Sequence, residues 1–269
     1  MFGQLYGFFV KNIKQCIYIL ILTLFTTTAW SSSAESCGDI FNDAIGTIDG
    51  GGTINLGTNT NLYNSPDDTI TGNSITAPAT ACDGNACTVT SSTNPALTLP
   101  AFQTNVGGAN SNNNTASTVT YDGSTQDYKR ISNNGTGAIV FETSDTGVYR
   151  IRTLSTSYSG SVTFAPGDYY IENLSIQGNN TITVSGSGTA RIFVQNAYTA
   201  QSGTQINTPS LGTGDASKFI MIAYDNVDLS NNQWYTGYLY TSGNLVMNGT
   251  TFYGSISASN ITTYNNVFI

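Results

Sequence analysis

The chain has 269 residues, with 8 Lys and Arg against 16 Asp and Glu and no histidine. Only 9% of its residues are charged, compared with about 25% in ordinary soluble domains. This composition excludes Ser–His–Asp and Cys–His catalysis, and it argues against a zinc site and against binding to nucleic-acid phosphates. The 16 Tyr, 12 Phe and short Ile and Val runs distinguish the chain from disordered sequences. We therefore predict a folded, neutral-polar protein that is not an enzyme and uses no cofactor or metal.

The first 34 residues have the features of a secretory signal peptide. Lys11 and Lys14 form its charged region, residues 17–25 form an apolar run, and small residues precede the predicted cleavage site between Ala34 and Glu35. The apolar run is shorter than the ~20 residues needed to span a bilayer, so cleavage is favoured over a retained membrane anchor. We therefore expect the mature chain to be extracytoplasmic, in the periplasm, at the cell surface or secreted, without a stable membrane span.

Three cysteines remain after removal of the signal peptide, which contains Cys16. Cys82 and Cys87 enclose a short turn, and an oxidising compartment favours a disulfide between them. So small a loop constrains little of the unfolded chain, so the bridge would contribute about 2 kcal/mol. Cys37 is then left over, either paired outside this chain or present as a buried thiol.

Residues 35–130 alternate short β-type runs with turns, and we assign them to an irregular β-rich N-terminal region. Within it, the Asn-rich residues 107–117 predict a loop or linker. From residue 131 to 269 the β-type runs become stronger, and we assign this part to a β-solenoid. No convincing amphipathic helix is present in the mature chain.

A repeat supports the solenoid assignment. Five segments share one pattern: an Asn, an apolar residue and a polar residue, followed by small polar residues at a turn. They begin at Asn173, Asn196, Asn226, Asn244 and Asn260. The pattern predicts that Leu174, Val227, Leu245 and Ile261 point inwards on successive turns. The longer spacing after Asn196 predicts an insertion near residues 208–216.

This periodicity is typical of a right-handed β-solenoid, or β-helix, in an all-β protein. Each turn buries one face of its short strands and pairs with the turns above and below, and repeated Asn side chains can form ladders along the stack. The alternative is a β-sandwich with Asn-rich turns. The last residues, Val267, Phe268 and Ile269, are apolar and unlike a polar cap. We therefore expect the C-terminal edge to be completed by something outside this chain.

Two clusters are candidate sites. Tyr235, Tyr238 and Tyr240 could offer a stacking surface to sugars, whereas Trp234 is assigned to the core because Phe252 and Phe268 also follow their Asn by eight residues. Asp225 and Asp228, with Asp215 nearby, are the candidate carboxylates for carbohydrate cleavage. A structural role at a turn is favoured for Asp225 and Asp228.

Several features resemble the N-terminal region of the MshQ family, biogenesis proteins of the mannose-sensitive haemagglutinin (MSHA) pilus, a type IV pilus. They are the start at residues 37–41, the spacing of Cys82 and Cys87, the run of residues 164–171 and the Asn-anchored repeats. The resemblance implies a pilus-associated surface protein that acts by adhesion or assembly, with pilus or other cell-surface proteins as partners. The alternative is a carbohydrate-binding or carbohydrate-cleaving β-helix with surface glycans as ligands.

Overall fold

The structure is a computed structural model that describes residues 45–48, 52–62, 69–77, 88–90, 97–200, 203–208, 214–230 and 233–269. The predicted signal peptide and all four cysteines, including the proposed pair Cys82 and Cys87, lie outside these residues. Among the described residues the one helical element is a short 3-10 turn, Ala216–Lys218.

Within the described residues, twenty-two strands form one sheet in which every pairing is parallel. In chain order the strands are β1 (Ile45–Thr47), β2 (Thr53–Asn55), β3 (Thr60–Asn61), β4 (Thr69–Thr71), β5 (Ser74–Thr76), β6 (Thr88–Thr90), β7 (Ala109–Asn113), β8 (Thr118–Tyr121), β9 (Asp127–Asn133), β10 (Ala138–Phe141), β11 (Val148–Thr156), β12 (Ser161–Phe164), β13 (Gly167–Ile176), β14 (Thr181–Val184), β15 (Ala190–Val194), β16 (Tyr198–Ala200), β17 (Gln205–Ile206), β18 (Phe219–Ala223), β19 (Val227–Ser230), β20 (Trp234–Asn248), β21 (Thr251–Thr263) and β22 (Val267–Phe268). Each strand pairs with strands about one turn away, so the prediction of an all-β solenoid is confirmed.

The solenoid has three sides. Side A contains β1, β4, β6, β15 and β18, the first halves of β9, β11 and β13, and the middle of β20 and β21. Side B contains β2, β5, β7, β16 and β19 and the final parts of β9, β11, β13, β20 and β21. Side C contains β3, β8, β10, β12, β14, β17 and β22 and the first residues of β20 and β21.

The inward residues of side B follow the predicted register. Leu174, Val227, Leu245 and Ile261 are at most 6% exposed, and Val227, Leu245 and Ile261 pair in succession. The Asn196 repeat differs in phase by one residue, because Tyr198 is the buried residue there and Ala197 is exposed. One extra residue, Ala197, stands between Asn196 and the inward Tyr198, whereas in the other four repeats the Asn directly precedes the inward residue.

The assignment of Trp234 and Phe268 to the core is also wrong. Both are half-buried and face outwards. They align with Thr251, on the turn between them, in one column of side chains along the stack. Tyr235 is inside instead, where its ring stacks on Phe252 with centroids 4.6 Å apart. The corner on the next turn contains Gly249, whose φ is 62°, and this corner is one residue shorter than the corner before Tyr235. Counting eight residues from each Asn therefore reaches positions that are not equivalent, and the aromatic residues are misplaced.

The C-terminal edge is completed by the chain's own N-terminal strands, so the expectation of a missing external piece is wrong. Strands β1 and β2 pair along the outer edge of β21, and β3 pairs with β22. Ile45 lies beside Ile256 and Ile54 beside Ile261, and all four side chains are fully buried. The turn fits because β1, β2 and β3 continue sides A, B and C in register with the strands before them, and β4 and β5 then extend the stack.

Two further predictions concern loops. The Asn-rich stretch 107–117 is not simply a loop, because β7 lies within it and pairs with β9. Its Asn side chains are used in the structure: Asn113 donates to the carbonyl of Ser117 at 2.7 Å, and Asn112 accepts from Ser132 at 2.5 Å. Composition alone had suggested a linker because Asn is rare in ordinary strands. The predicted insertion is present between β17 and β18.

Candidate binding surface

Side A is covered by residues 97–106, which we call the strap. It runs along the solenoid axis and connects the N-terminal turns to β7 at the other end. The hydroxyl of Tyr240 accepts from the backbone N–H of Leu97 at 3.0 Å, and the hydroxyl of Tyr224 donates to the carbonyl of Pro100 at 2.6 Å. Phe102 packs edge-on against Tyr170 and Tyr224, with centroids 5.6 and 5.5 Å away.

The strap gives side A an outer apolar layer in addition to the core. The outward residues of side A under the strap are all at most 6% exposed: Tyr170, Phe193, Ile220, Ile222 and Tyr240. Leu97, Leu99 and Phe102 pack against them. Side A is therefore a closed face between residues 97 and 106 and is not available to a ligand there.

The three tyrosines predicted to bind sugars are dispersed by this architecture. Tyr235 is fully buried in the core, and its hydroxyl donates to the carbonyl of Tyr238 at 3.2 Å. Burial raises the pKa of Tyr235 well above its ordinary value. Tyr240 is 1% exposed under the strap, and Tyr238 is half-buried on side A. The rings of Tyr235 and Tyr240 are thus closed to a ligand in this conformation.

Two ion pairs lie at the outer edge of side A and link neighbouring turns. Arg150 contacts both carboxylate oxygens of Asp127 at 2.8 and 2.7 Å, and Arg191 contacts those of Asp168 at 2.5 and 2.8 Å. Hydrogen bonds from Arg150 lower the pKa of Asp127. Burial raises the pKa of Asp168, although Arg191 acts in the opposite direction. Both pairs are structural links within one face.

Side B carries the predicted asparagine ladder. Asn196 donates to Asn173 and Asn260 donates to Asn244, both at 2.8 Å, and Asn226 accepts from the backbone N–H of Asn244 at 2.8 Å. The ladder reaches the N-terminal turn at Thr53, whose backbone N–H donates to Asn260 at 3.0 Å. These amides hold successive turns together and give side B a regularly spaced row of neutral polar groups along the stack.

Side C differs from the other two sides in its lack of charge. None of its strands that the structure describes contains Asp, Glu, Lys or Arg. The turns of side C that contain β12 and β14 present rows of hydroxyls, and the hydroxyls of Thr163 and Thr183 lie 3.1 Å apart. The turns of side C that contain β20, β21 and β22 present three aromatic rings: Trp234 and Phe268, which are half-buried, and Tyr253, which is 39% exposed.

Sequence reasoning missed these surface aromatics, although a signal was present. Within a strand, successive side chains point to opposite faces. Since Tyr235 and Phe252 are inward, their neighbours Trp234 and Tyr253 must point outwards. Two adjacent aromatic residues in a solenoid strand therefore place one ring outside the core, and on side C, where no strap covers it, that ring lies at the surface.

The candidate carboxylates do not converge on one site. Asp225 accepts from the backbone N–H of Asn226 at 2.7 Å, in agreement with a role at a turn, and Asp215 caps the 3-10 turn by accepting from Ser217. Asp228 faces outwards from β19, where it accepts from Ser230. Within the described residues no group of three or more potential metal ligands occurs, and no helix there is long and apolar enough to cross a membrane.

No family model, curated protein or solved structure matches the chain. The functional argument therefore rests on the residues and the geometry described above.

Proposed function

We propose that this chain is an exported, non-catalytic surface protein that acts by adhesion or assembly in an MSHA-like type IV pilus system. The signal-peptide features and the resemblance to the MshQ N-terminal region support the export and pilus parts of this proposal. The observation that carries it is the pair of long faces, sides B and C, whose outward groups are mainly neutral and repeat at the strand spacing of about 4.8 Å.

Such faces suit contact with an extended or repetitive partner. Each Ser, Thr or Asn contributes little by itself, but the same group recurs on turn after turn, so many weak contacts add along the axis. Parallel pairing and the inter-turn hydrogen bonds hold these groups in a fixed spacing before a partner arrives, which reduces the entropy lost on binding. This is the property that a rigid adhesive or structural module requires.

A carbohydrate-cleaving β-helix is the weaker alternative. Glycoside hydrolysis ordinarily needs two carboxyl groups on either side of one scissile bond. Asp215, Asp225 and Asp228 each form a local hydrogen bond with a neighbouring residue in the sequence. The outward rows on sides B and C offer hydrogen-bonding groups and aromatic rings, which favour binding over cleavage.

The proposal is tested in cells that express or lack the protein. Exported protein should begin at Glu35, and it should be recovered with sheared pili. Loss of surface adhesion with normal piliation would show an adhesive role, and loss of both would show a role in assembly. Normal adhesion and normal pili in cells that lack the protein would contradict the proposal, as would recovery of the protein from the cytoplasm alone.

A further inference from the structure

The part of side C formed by β20, β21 and β22 contains a group of outward side chains that includes three aromatic rings. Trp234, Thr251 and Phe268 occupy one column on three successive turns. Tyr253 lies in the adjacent outward column, on the middle of these turns. Because two strand spacings separate them, the backbone positions of Trp234 and Phe268 are about 9.5 Å apart along the axis. We call these four residues the aromatic patch.

The polar atoms of two patch residues are unused. Within the described residues, neither the indole N–H of Trp234 nor the hydroxyl of Tyr253 has a hydrogen-bond partner. The hydroxyls of two core tyrosines, Tyr149 and Tyr169, by contrast donate to backbone carbonyls, both at 2.8 Å. Tyr235 and Phe252 fill the core beneath the patch, so the rings of Trp234 and Tyr253 lie outside the core.

The surroundings of the patch are neutral and polar. In the column of Trp234, Gln205 precedes it on the turn above and Asn61 follows Phe268 on the turn below, and both are half-buried. Asn207 lies near the patch: its side chain donates to the carbonyl of Thr236 at 3.0 Å, and Thr236 is the neighbour of Tyr253 on the turn above. A charged ligand would find no counter-charge in the strands of this side.

These features define the chemistry of the ligand. Flat rings that retain a free N–H or O–H, placed between amides and a hydroxyl, match a molecule with apolar C–H faces and many hydroxyls. Rings two turns apart along a straight column match a repeating chain that runs parallel to the axis. Both properties belong to a neutral polysaccharide, whose sugar rings stack on aromatic side chains and whose hydroxyls pair with amides.

We propose that a neutral polysaccharide binds along side C, with its sugar rings on Trp234 and Phe268, Tyr253 beside them and the hydroxyl of Thr251 between them. This inference deepens the proposed adhesive function by naming a site and a ligand class, and it rests on that function. It moves the sugar-stacking surface from Tyr235, Tyr238 and Tyr240 to their outward neighbours on the same and the next turn.

The test uses the tryptophan of the patch as its own reporter. The sequence has two tryptophans, Trp30 and Trp234, and Trp30 lies in the predicted signal peptide, so a chain that begins at Glu35 reports on Trp234 alone. Its fluorescence is titrated with cellohexaose, chitohexaose and maltohexaose, and binding is measured in parallel by calorimetry. We expect at least one of the three to change the fluorescence and to bind. If none of them binds, the proposal is overturned.

Neighbouring turns supply the matched variants. Trp234→Thr copies Thr251 and Tyr253→Thr copies Thr236, which occupy the same columns one turn away. Each should weaken binding about tenfold or more, while circular dichroism and thermal unfolding stay unchanged. Tyr158→Ala removes a ring that is 68% exposed outside the patch and should leave binding intact. Unchanged binding in the Trp234→Thr, Tyr253→Thr double variant would overturn the assignment.

Failure of the site and failure of the adhesive function give different results. If cells with the double variant adhere normally, the patch is not the adhesive site, although adhesion itself stands. If cells lacking the whole protein adhere and form pili normally, the proposed function fails irrespective of oligosaccharide binding. If the double variant loses both oligosaccharide binding and adhesion while it remains folded, both proposals are supported.

Discussion

Asn260 accepts hydrogen bonds from both the backbone N–H and the hydroxyl of Thr53, at 3.0 and 3.1 Å, although 207 positions separate the two residues in the chain. The same side chain donates to Asn244 at 2.8 Å on its other side. Asn260 therefore joins the last turn of the C-terminal stack to the N-terminal turn that closes it. A continuous solenoid is thereby built from the two ends of one sequence.

Replacing Asn260 with alanine should weaken this closure. The Asn260→Ala variant loses three hydrogen bonds and leaves the backbone N–H of Thr53 without its acceptor, which should lower the free energy of unfolding by about 1–3 kcal/mol. Hydrogen exchange should accelerate first in β1 and β2. Asn55→Ala is the control, since Asn55 is exposed on the same face, and it should have little effect. Equal exchange in the two variants would contradict the proposed role.

Core packing between turns is tested at Leu245. Its side chain is fully buried between Val227 and Ile261, so Leu245→Ala should create a cavity and cost about 2–5 kcal/mol. The next residue, Val246, points outwards and is half-buried, so Val246→Ala should cost much less. Chemical denaturation of the two variants measures the difference. A larger loss for Val246→Ala would mean that the inward and outward sets are exchanged.

The sequence was sufficient to predict the solenoid because its signal is local. The residues after Asn226, Asn244 and Asn260 repeat with little insertion, so their side chains share one phase, and Val227, Leu245 and Ile261 are inside as expected. Where an extra residue follows the Asn, as at Ala197, or a corner is shorter, as at Gly249, counting along the chain gives the wrong face. Corner length depends on the packing of adjacent turns, which the sequence pattern does not encode.

Closure of the solenoid was beyond local reasoning for a different reason. The pairing of Ile54 with Ile261 is a contact between distant parts of the chain, and the short runs near Ile54 look the same whether they pair with a neighbour or with the far end. The binding surface had the same difficulty. The cluster around Tyr235 was found, but the outward neighbours Trp234 and Tyr253 became distinguishable only once the register was known.

Attachment of the strap is tested at Phe102. Its ring contacts Tyr170 and Tyr224 edge-on, and removing it should detach the middle of residues 97–106 from side A. We expect Phe102→Ala to destabilise the fold by about 2–4 kcal/mol, near the lower end of values for core aromatics because the ring is half-buried. Cleavage by a protease within the strap should become faster. Val106→Ala is the control, since Val106 is 85% exposed, and it should be cleaved at the wild-type rate.

The ion pair between Asp127 and Arg150 predicts a pH dependence. Hydrogen bonds from Arg150 place the pKa of Asp127 in the folded state below its ordinary value of 3.8. In the unfolded chain Asp127 takes up a proton more readily, so its contribution to stability is fully present above pH 3.8 and is lost as the pH falls through the lower, folded-state pKa. The pair is partly exposed, so this contribution should be about 1 kcal/mol.

The Asp127→Asn variant should therefore be less stable than the wild type at neutral pH, and the difference should shrink as the pH falls below 3.8 because the wild type then loses the ion pair as well. Thermal unfolding of both proteins across this range measures the effect. Asp145→Asn is the control: Asp145 is exposed and takes part in none of the salt bridges among the described residues, so its stability difference should stay small and constant. A difference for Asp127→Asn that does not change with pH would show that the carboxylate contributes through its shape or neutral hydrogen bonding and not through its charge.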